Sequence, residues 1–568
     1  MLEFKNELNL DNEIIKNKKV TNIISVISVI LAINTIVWAI CMFSLEFKLV
    51  YILLFFASLI AYILYLFFTY RFYVELKHKN NLKKVYFNHK MRRNNEYSKF
   101  FDTGMDLINK DDYKELDLDL FGKNSLFQYL SICKTKYGRL ELKDSLTKIK
   151  EEDNNYTNAI DELAKREDTL DIEATLLEFN NEAKTLDYEI MYQTFGNKIK
   201  FKPLFILPLL SFIGMIIYII LIFALKLNPY FLFIFGFSNF ALAKLCLKND
   251  VYDIDSSKYY SLIDSYYYLS LKLINNNYEN EYLKNIVNKT KESIINLKKL
   301  KGLLNLLSTR RNLLFNILSN VLLSFDFFVL IIFNIKTKNI IVLKDFFESI
   351  GKLECMMSLA NIGIDNDVYT KPEEGSLDGI DIYHPLIPNC ISNSFKLDGG
   401  VILTGSNMSG KTTFMRTLGI CQTLYNAKGL IPAKSFKSKN LNIYTSLRAN
   451  DMLSEGISTF YAEILRMKKI NEAIEKEDVL VLIDEIFKGT NAKDRIEASF
   501  KVIEKLNNRN VRFIITTHDF ELCDANNILN YHFNEEYIND KISFDYKIKD
   551  GKCETKNAIY LLKMANII

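Results

Sequence analysis

The chain has little of what would mark a disulfide-built or polyanion-coated protein. Its eight cysteines stand singly, at positions 41, 133, 246, 355, 390, 421, 523 and 553, with no C-x-x-C pair. That excludes a zinc knuckle and a disulfide framework, and it fits a reducing cytoplasm. Net charge is only +4, so the chain is not globally basic and any polyanion-binding surface must be a local patch. Proline is scarce, at 7 residues, while Phe (41) and Tyr (32) are abundant; this mixture suits helices and membrane interfaces better than disorder. No fixed-period repeat is present. With 568 residues, 49% of them apolar, length alone gives a prior of about three or four domains.

What the chain does have is long uncharged runs. Residues 21–44 (TNIISVISVILAINTIVWAICMFS) and 49–70 (LVYILLFFASLIAYILYLFFTY) carry no charge and are separated by Leu45–Lys48. Each is long enough to cross a hydrocarbon core of about 30 Å as a helix. The second run follows at once and no small-residue cleavage site stands out, so a signal peptide is not the expectation. A second pair, 201–225 and 228–243, is joined by Lys226 and Leu227. The reading is two transmembrane helical hairpins, four helices in all; the alternative is buried helices of a large soluble core. Basic residues flank the hairpins on the outside (Lys16, Lys18, Lys19; Arg71, Lys77, Lys79; Lys198, Lys200, Lys202; Lys244, Lys248). Such flanks place the N-terminus, the 71–200 segment and the C-terminal domain in the cytoplasm. A fifth apolar run, 312–335, contains Asn316, Asn320, Asp326 and Asn334; an aspartate at mid-membrane is costly, so a buried helix is expected there.

The remainder divides by pattern. Segments 76–200 and 251–365 show apolar residues at helical spacing, clearest in ESIGKLECMMSLANI (348–362). Pro and Gly gather over 366–380, the expected boundary of a last domain, 366–568. Beyond it, β-branched runs alternate with helical stretches, which predicts an α/β domain with a largely parallel sheet; VILT (401–404), VLVLI (479–483) and VRFIIT (511–516) are candidate strands.

The chemistry-bearing residues sit at the ends of those strands. Gly405, Ser406, Asn407, Met408, Ser409, Gly410, Lys411, Thr412 and Thr413 fit the phosphate-loop pattern G-x-x-x-x-G-K-[ST] between a strand and a helix. Glycines let backbone N–H groups surround phosphate oxygens, and the helix N-terminus adds its positive end. Lys411 would reach the β/γ-phosphates and the Thr412 hydroxyl would hold Mg²⁺. VLVLIDE ends in Asp484, a candidate Mg²⁺ ligand, and Glu485, which can orient the attacking water. IITTHDFEL delivers His518 to the same edge. In SEGISTF (454–460), a serine and a glycine precede a helix, which suits N-capping and also suits presentation of N–H and hydroxyl groups to a γ-phosphate across a dimer interface.

Together, HPL (384–386), TGSNMSGKTTFMR (404–416), GLIPA (429–433), STFYAEI (458–464), DEIFKGTN (484–491) and TTHDFEL (516–522) closely resemble the ATPase domain of the MutS DNA mismatch-repair family over about residues 380–568. Weaker similarity to the family's helical core and lever reaches upstream through 312–327 and 353–362. The resemblance implies an α/β P-loop NTPase of ABC/MutS type, preceded here by an all-α core/lever region that carries the two hairpins. It implies an Mg²⁺-dependent ATP hydrolase acting as a homodimer through its ATPase domains. In it Glu485, His518 and Lys411 are catalytic, with His518 sensing the γ-phosphate; Ser458 and Thr459 belong to the signature acting in trans, and Gly489 and Thr490 lie at the dimer interface. Family loops read close to TGPNMGGKST; here Ser406 and Ser409 replace proline and glycine, and both are small enough to leave nucleotide binding intact.

Duplex DNA is the partner the family implies. Mismatch readers insert a phenylalanine next to a glutamate; the Phe-x-Glu triplets here, Phe346–Glu348 and Phe533–Glu535, lie in helical and ATPase contexts and read as coincidence. The basic stretch 71–93, with eight Lys/Arg against Glu75 alone, follows a membrane helix and reads first as an anionic-lipid contact, with DNA backbone binding as the alternative. Two functions follow: a membrane-anchored MutS-like ATPase that binds DNA, or a DNA-independent membrane-remodelling or scaffolding ATPase. An ABC transporter is weaker, because the apolar runs hold few polar residues.

Overall fold

The computed structural model of the chain describes residues 7–44, 49–151, 154–185, 189, 191, 206–225, 227–246, 256–309, 313–329, 343–406, 408–448, 459–487, 491–538 and 541–553. The N-terminal part is helical. Helices α1 (Glu7–Ser44) and α2 (Leu49–Arg93) lie side by side, tied by a hydrogen bond from Tyr65 Oη to the Ile24 carbonyl at 2.5 Å. Both are long and apolar enough to cross a membrane, and no residue of their apolar stretches is buried within the chain. α2 contains neither Gly nor Pro, so nothing in it breaks the backbone ladder, and it runs on from the exposed apolar half into the protein core at Val85 and His89.

That core is built first from short helices: α3 (Tyr113–Asp117), α4 (Leu126–Leu130), α5 (Lys136–Thr147), α6 (Asn154–Lys165) and α7 (Asp168–Leu176). Side chains of Asp112, Ser125 and Thr135 accept from the N–H groups of Lys114, Gln128 and Gly138, which explains where α3, α4 and α5 begin. Two more apolar helices follow, α8 (Ile206–Leu225) and α9 (Leu232–Cys246), packed on each other and shorter than α1 and α2. Then come α10 (Ser256–Ile274), α11 (Glu281–Thr309) and α12 (Leu313–Leu323).

The apolar run at 312–335 is not one continuous buried helix. α12 packs on α9 and stops at Ser324, whose φ of +44° breaks the ladder; residues 325–329 are helical again. Asn316, Asn320 and Asp326 turn inward, Lys244 approaches the Asp326 carboxylate at 3.4 Å, and Leu322 and Leu323 stay more than half exposed. A polar residue every third or fourth position gives this helix a polar face to bury. Residues 330–335 lie outside the described residues.

Helix α13 (Lys344–Asp365) is buried on every side from Phe346 onward apart from Glu348 and the half-buried Lys352, as a helix surrounded by others must be. Its polar residues are paired. Glu354 accepts from the Lys134 and Thr135 N–H groups and the Thr135 hydroxyl, the last at 2.5 Å; burial nonetheless pushes its pKa up to about 7. Asp365 meets His89 Nδ1 at 2.8 Å, while Glu173 of α7 meets His89 Nε2 at 3.0 Å. Burial disfavours the imidazolium, but the two carboxylates outweigh it and push the His89 pKa up to about 9. This charged joint fastens α2 to α7 and α13.

The C-terminal part is α/β. Strands β1 (Glu373–Glu374), β2 (Leu377–Ile382), β3 (Asn393–Leu397) and β5 (Ser435–Ser438) form a four-stranded sheet in the order β1-β5-β2-β3. A six-stranded sheet has the order β10-β9-β4-β8-β7-β6. It comprises β4 (Gly400–Thr404), β6 (Asn442–Ser446), β7 (Val479–Asp484), β8 (Arg512–Thr516), β9 (Ile528–Ile538) and the antiparallel edge strand β10 (Lys541–Asp550). Every other pairing in it is parallel. Side-chain alternation decides what each face meets. Val401, Leu403, Leu480, Leu482 and Ile514 join the large core that holds helix α14 (Lys411–Asn426) and the N-terminal helices. Ile402, Val481, Ile483, Phe513 and Ile515 face α15 (Thr459–Ala473) and α16 (Ala492–Asn508). A parallel sheet covered on both faces reads as continuous apolar runs, which is how these strands were legible.

Candidate active site

Three of the parallel strands, β4, β8 and β7, end side by side, and their carboxyl ends bring the sequence motifs together. After β4 the chain turns at Gly405, with φ of +140°. A Cβ there would lie 2.7 Å from the Phe533 carbonyl and 2.9 Å from Ser409 Oγ, so only glycine fits. Gly410, with φ of +106°, is the N-cap of α14, and no acid stands in the first turn to offset the positive end of the helix. Lys411 is buried and its Nζ donates to the carbonyls of Gly405 and Ser406, both at 2.7 Å. Ser409 Oγ donates to the Ser406 carbonyl at 2.8 Å, whereas Ser406 Oγ is buried with no hydrogen-bond partner among the described residues. Met408 is exposed and Thr413 faces solvent on the first turn of α14.

Strand β7 supplies the acids. The Thr412 hydroxyl donates to Asp484 Oδ2 at 2.8 Å, and Thr516, at the end of β8, donates to Asp484 Oδ1 at 2.5 Å. The carboxylate is thus held from the first turn of α14 and from the end of β8. Glu485 sits in left-handed backbone, φ +61°, with its N–H bonded to the Thr516 carbonyl at 3.2 Å and Oγ1 at 3.1 Å. A non-glycine residue there is strained by about 1–3 kcal/mol, a cost met at sites where a side chain must be aimed. His518 follows β8 and its Nε2 lies 3.4 Å from Glu485 Oε1. Arg495 of α16 grips Asp519 through two bonds of 2.8 and 2.7 Å, fixing the turn behind that histidine.

The structure therefore assembles Gly405, Gly410, Lys411, Thr412, Asp484, Glu485 and His518 at one sheet edge. Asn407, Ser458, Gly489 and Thr490 lie outside the described residues, and Thr459 opens α15. Sequence reasoning missed Thr516, which links the two acids; its signal was the first of the two threonines in IITT. It also missed Tyr546, whose Cδ1 would be 3.2 Å from a Cβ on Gly410; that contact depends on the β9–β10 pairing, which no local pattern encodes. Both Phe-x-Glu phenylalanines, Phe346 and Phe533, are 1% exposed, so neither is presented to a partner.

A magnesium nucleotide fits these residues. Gly405 leaves a cradle that a Cβ would fill, Ser406 Oγ beside it has no partner among the described residues, and Thr412 with Asp484 is a hydroxyl–carboxylate pair of the hard-oxygen kind that Mg²⁺ takes.

Residues 401–568 match the family model described as MutS domain V. Among curated proteins, the chain is 33% identical over 245 residues to the DNA mismatch repair protein MutS of Leptospira interrogans, covering 40% of this chain and 29% of that protein. It is 30% identical over 239 residues to the same-named protein of Persephonella marina, covering 39% and 27%. To MutS protein homolog 4 of Mus musculus it is 30% identical over 240 residues, covering 38% and 24%. The chain thus spans less than a third of the length of each of these relatives.

Proposed function

From the premise that this chain is a MutS-family member through its C-terminal portion, we propose that it is a membrane-anchored ATP hydrolase that works as a dimer on duplex DNA. The Thr412–Asp484 contact at 2.8 Å, with Glu485 next in the chain, is the observation that carries the reading. Residues 366–568 form its ATPase domain, of P-loop type. The loop 405–413, with Asn407 in it, embraces the phosphates. Lys411, which donates to its own loop carbonyls, exchanges those bonds for phosphate oxygens at little cost, because both are hydrogen-bond acceptors. Thr412 and Asp484 would hold Mg²⁺, which when bound would neutralise phosphate charge. Glu485 would accept the proton of the attacking water, and His518, 3.4 Å away, orients that carboxylate and would sense the terminal phosphate. Ser458 and Thr459 reach the partner subunit's nucleotide, with Gly489 and Thr490 at the interface. The α1–α2 hairpin, and with it α8–α9, anchors the chain in a membrane, with the ATPase domain on the cytoplasmic side.

Turnover by the full chain in lipid nanodiscs tests this, with no DNA, paired duplex and mismatched duplex, and Glu485→Gln as the control. Stimulation by duplex with steep salt dependence supports the DNA clamp. A second reading, a DNA-independent membrane-remodelling ATPase, draws support from the unbroken α2, which carries the apolar hairpin into the core. Turnover indifferent to DNA, raised by liposomes and abolished by Glu485→Gln would favour that reading.

A further inference from the structure

Residues 111–119, with α3 at their centre, belong to the helical part of the chain, yet their polar groups reach three elements of the α/β part. Asp117 is buried, and its Oδ2 accepts from the Leu447 N–H at 2.9 Å, just past the end of β6. Arg466 of α15 lies 3.8 Å from the same oxygen. Asp119 holds two arginines: Arg448 Nη2 donates to its Oδ1 at 2.5 Å, and Arg416 Nη1 of α14 pairs with its Oδ2 at 3.5 Å. Arg466 in turn donates to the Arg448 carbonyl at 2.8 Å and lies over the Tyr113 ring, 4.3 Å from its centre. Lys469 of α15 donates to the Asp111 carbonyl at 3.3 Å. Leu118, between the two acids, packs onto α14: a Cβ on Gly419 would lie 2.6 Å from its Cδ2.

Guanidinium groups from α14, from the end of β6 and from α15 thus converge on two carboxylates of one short segment. The two acids differ in what they supply. Asp117 satisfies a buried N–H, which is a structural duty. Asp119 and Arg448 are each about a third exposed, and pairs of that kind add little to stability. What a carboxylate shared by two guanidinium groups does fix is distance and direction. Its backbone is left-handed, φ +51°, a conformation that Asp and Asn adopt more readily than other side chains.

The elements tied here are those that handle nucleotide in the function proposed above. α14 carries Lys411 and Thr412 in its first turn, and β6 pairs with β7, which ends in Asp484. α15 opens at Thr459, assigned with Ser458 to the partner subunit's nucleotide, and Arg466 lies roughly 10 Å along it. Among the described residues, Asp119 bonds none of residues 405–413. We propose that Asp119 is a positioning residue for ATP hydrolysis: by bridging Arg416 and Arg448 it sets the phosphate-loop helix against the strand end and helix of the contact in trans, and so governs turnover without governing nucleotide affinity. The inference rests on the ATPase reading.

The test uses the full chain in lipid nanodiscs with Mg-ATP, reading kcat and KM together with affinity for a fluorescent ATP analogue. Asp119→Asn keeps the side-chain volume and tolerates the left-handed backbone, but it offers one acceptor oxygen where the carboxylate offers two. It should lower kcat by about tenfold or more, as misplacement far from the chemistry does, with KM and analogue affinity unchanged. Arg448→Gln removes the same bridge from its other end and should do likewise, and the double variant should be no worse than either single one. Wild-type kcat in both variants overturns the proposal. So do losses that multiply in the double variant, or analogue affinity that falls in step with kcat, which would place Asp119 in nucleotide binding. Loss of exchange protection in α14 and β6 of both variants would make the bridge structural only and overturns it too. Glu485→Gln separates the two levels. Turnover that this control abolishes keeps the ATPase reading whatever the Asp119 result, and absence of such turnover in the wild type overturns both.

Discussion

His89 offers a quantitative test of how the apolar hairpin is joined to the core. It lies between Asp365 and Glu173 with no exposed surface, and its pKa is raised from an ordinary 6.5 to about 9. A group raised on folding contributes stability that is fully present below its unfolded value and is lost as pH rises through its folded value. The window is therefore roughly pH 6.5 to 9, and a gap of that width corresponds to about 3 kcal/mol. His89→Gln cannot charge. It leaves Glu173 and Asp365 buried, although Arg93 Nε keeps its 3.2 Å contact with Asp365. Removing one partner of a buried ionic group costs about 3–5 kcal/mol, so below pH 6.5 the variant should be destabilised by an amount in that range. By pH 9.5 the gap between the two proteins should have narrowed by about 3 kcal/mol. A chain of several domains does not unfold in one step, so the assay must be local: hydrogen exchange in peptides covering α2, α7 and α13, corrected for intrinsic rates. A gap between wild type and His89→Gln that stays constant from pH 6 to 9.5 would refute the reasoning, because the triad would then hold no extra proton.

Other outcomes follow from the same geometry. Glu354 is raised from 4.5 to about 7 by burial, so its contribution is present below about pH 4.5 and lost through pH 7; Glu354→Gln should flatten the stability of α5 and α13 across that window, read by the same exchange experiment. Glu485→Gln should lower turnover by at least ~10²-fold, the usual value of a general base, while fluorescent ATP analogue binding persists. Gly405→Ala places a Cβ 2.7 Å from the Phe533 carbonyl in a backbone region closed to alanine; nucleotide binding should be lost while the exchange protection of β7 is kept.

How much of this was legible in the sequence depended on whether a feature was local. The strands β4, β7 and β8 were found to within a residue or two, because a parallel strand buried on both faces is a continuous apolar run and each ends in chemistry. The loop from Gly405 to Thr413 was legible because two glycines and a lysine at fixed spacing mean one backbone shape. Thr516 was not singled out, since a threonine at a strand end acquires its role only when β8 is placed between β4 and β7. Neither β9 nor β10 was foreseen: Tyr531, His532 and Asn534 interrupt the apolar pattern of β9, and β10 is an exposed edge. The break at Ser324 was invisible for a different reason. Serine has no special claim on left-handed backbone, and what holds it there is the pairing of Asn320 Oδ1 with the Asp326 N–H at 2.9 Å. His89 looked like one member of a basic stretch; only the long-range packing of α7 and α13 turns it into a buried cation.

The same packing decides what α2 can do mechanically. A helix of 45 residues with no glycine or proline bends little, and its C-terminal half is fixed by the His89 triad to α7 and α13. α13 is in turn fixed to the end of α14: a Cβ on Gly363 would lie 2.8 Å from Leu430 Cδ1 and 2.9 Å from the Ala164 methyl. α14 begins at the phosphate loop. From His89 back to Leu53 is 36 residues, or roughly 54 Å of helix, so a tilt of about 5° at the triad displaces the far end by roughly 5 Å. An unbroken rod with a charged pivot transmits such a tilt, whereas a hairpin on a flexible linker would absorb it. For the proposed ATPase, the consequence is that rearrangement around the loop and the position of the apolar hairpin are not independent. In the proposed reading, anchoring would be part of the working mechanism and not only an address.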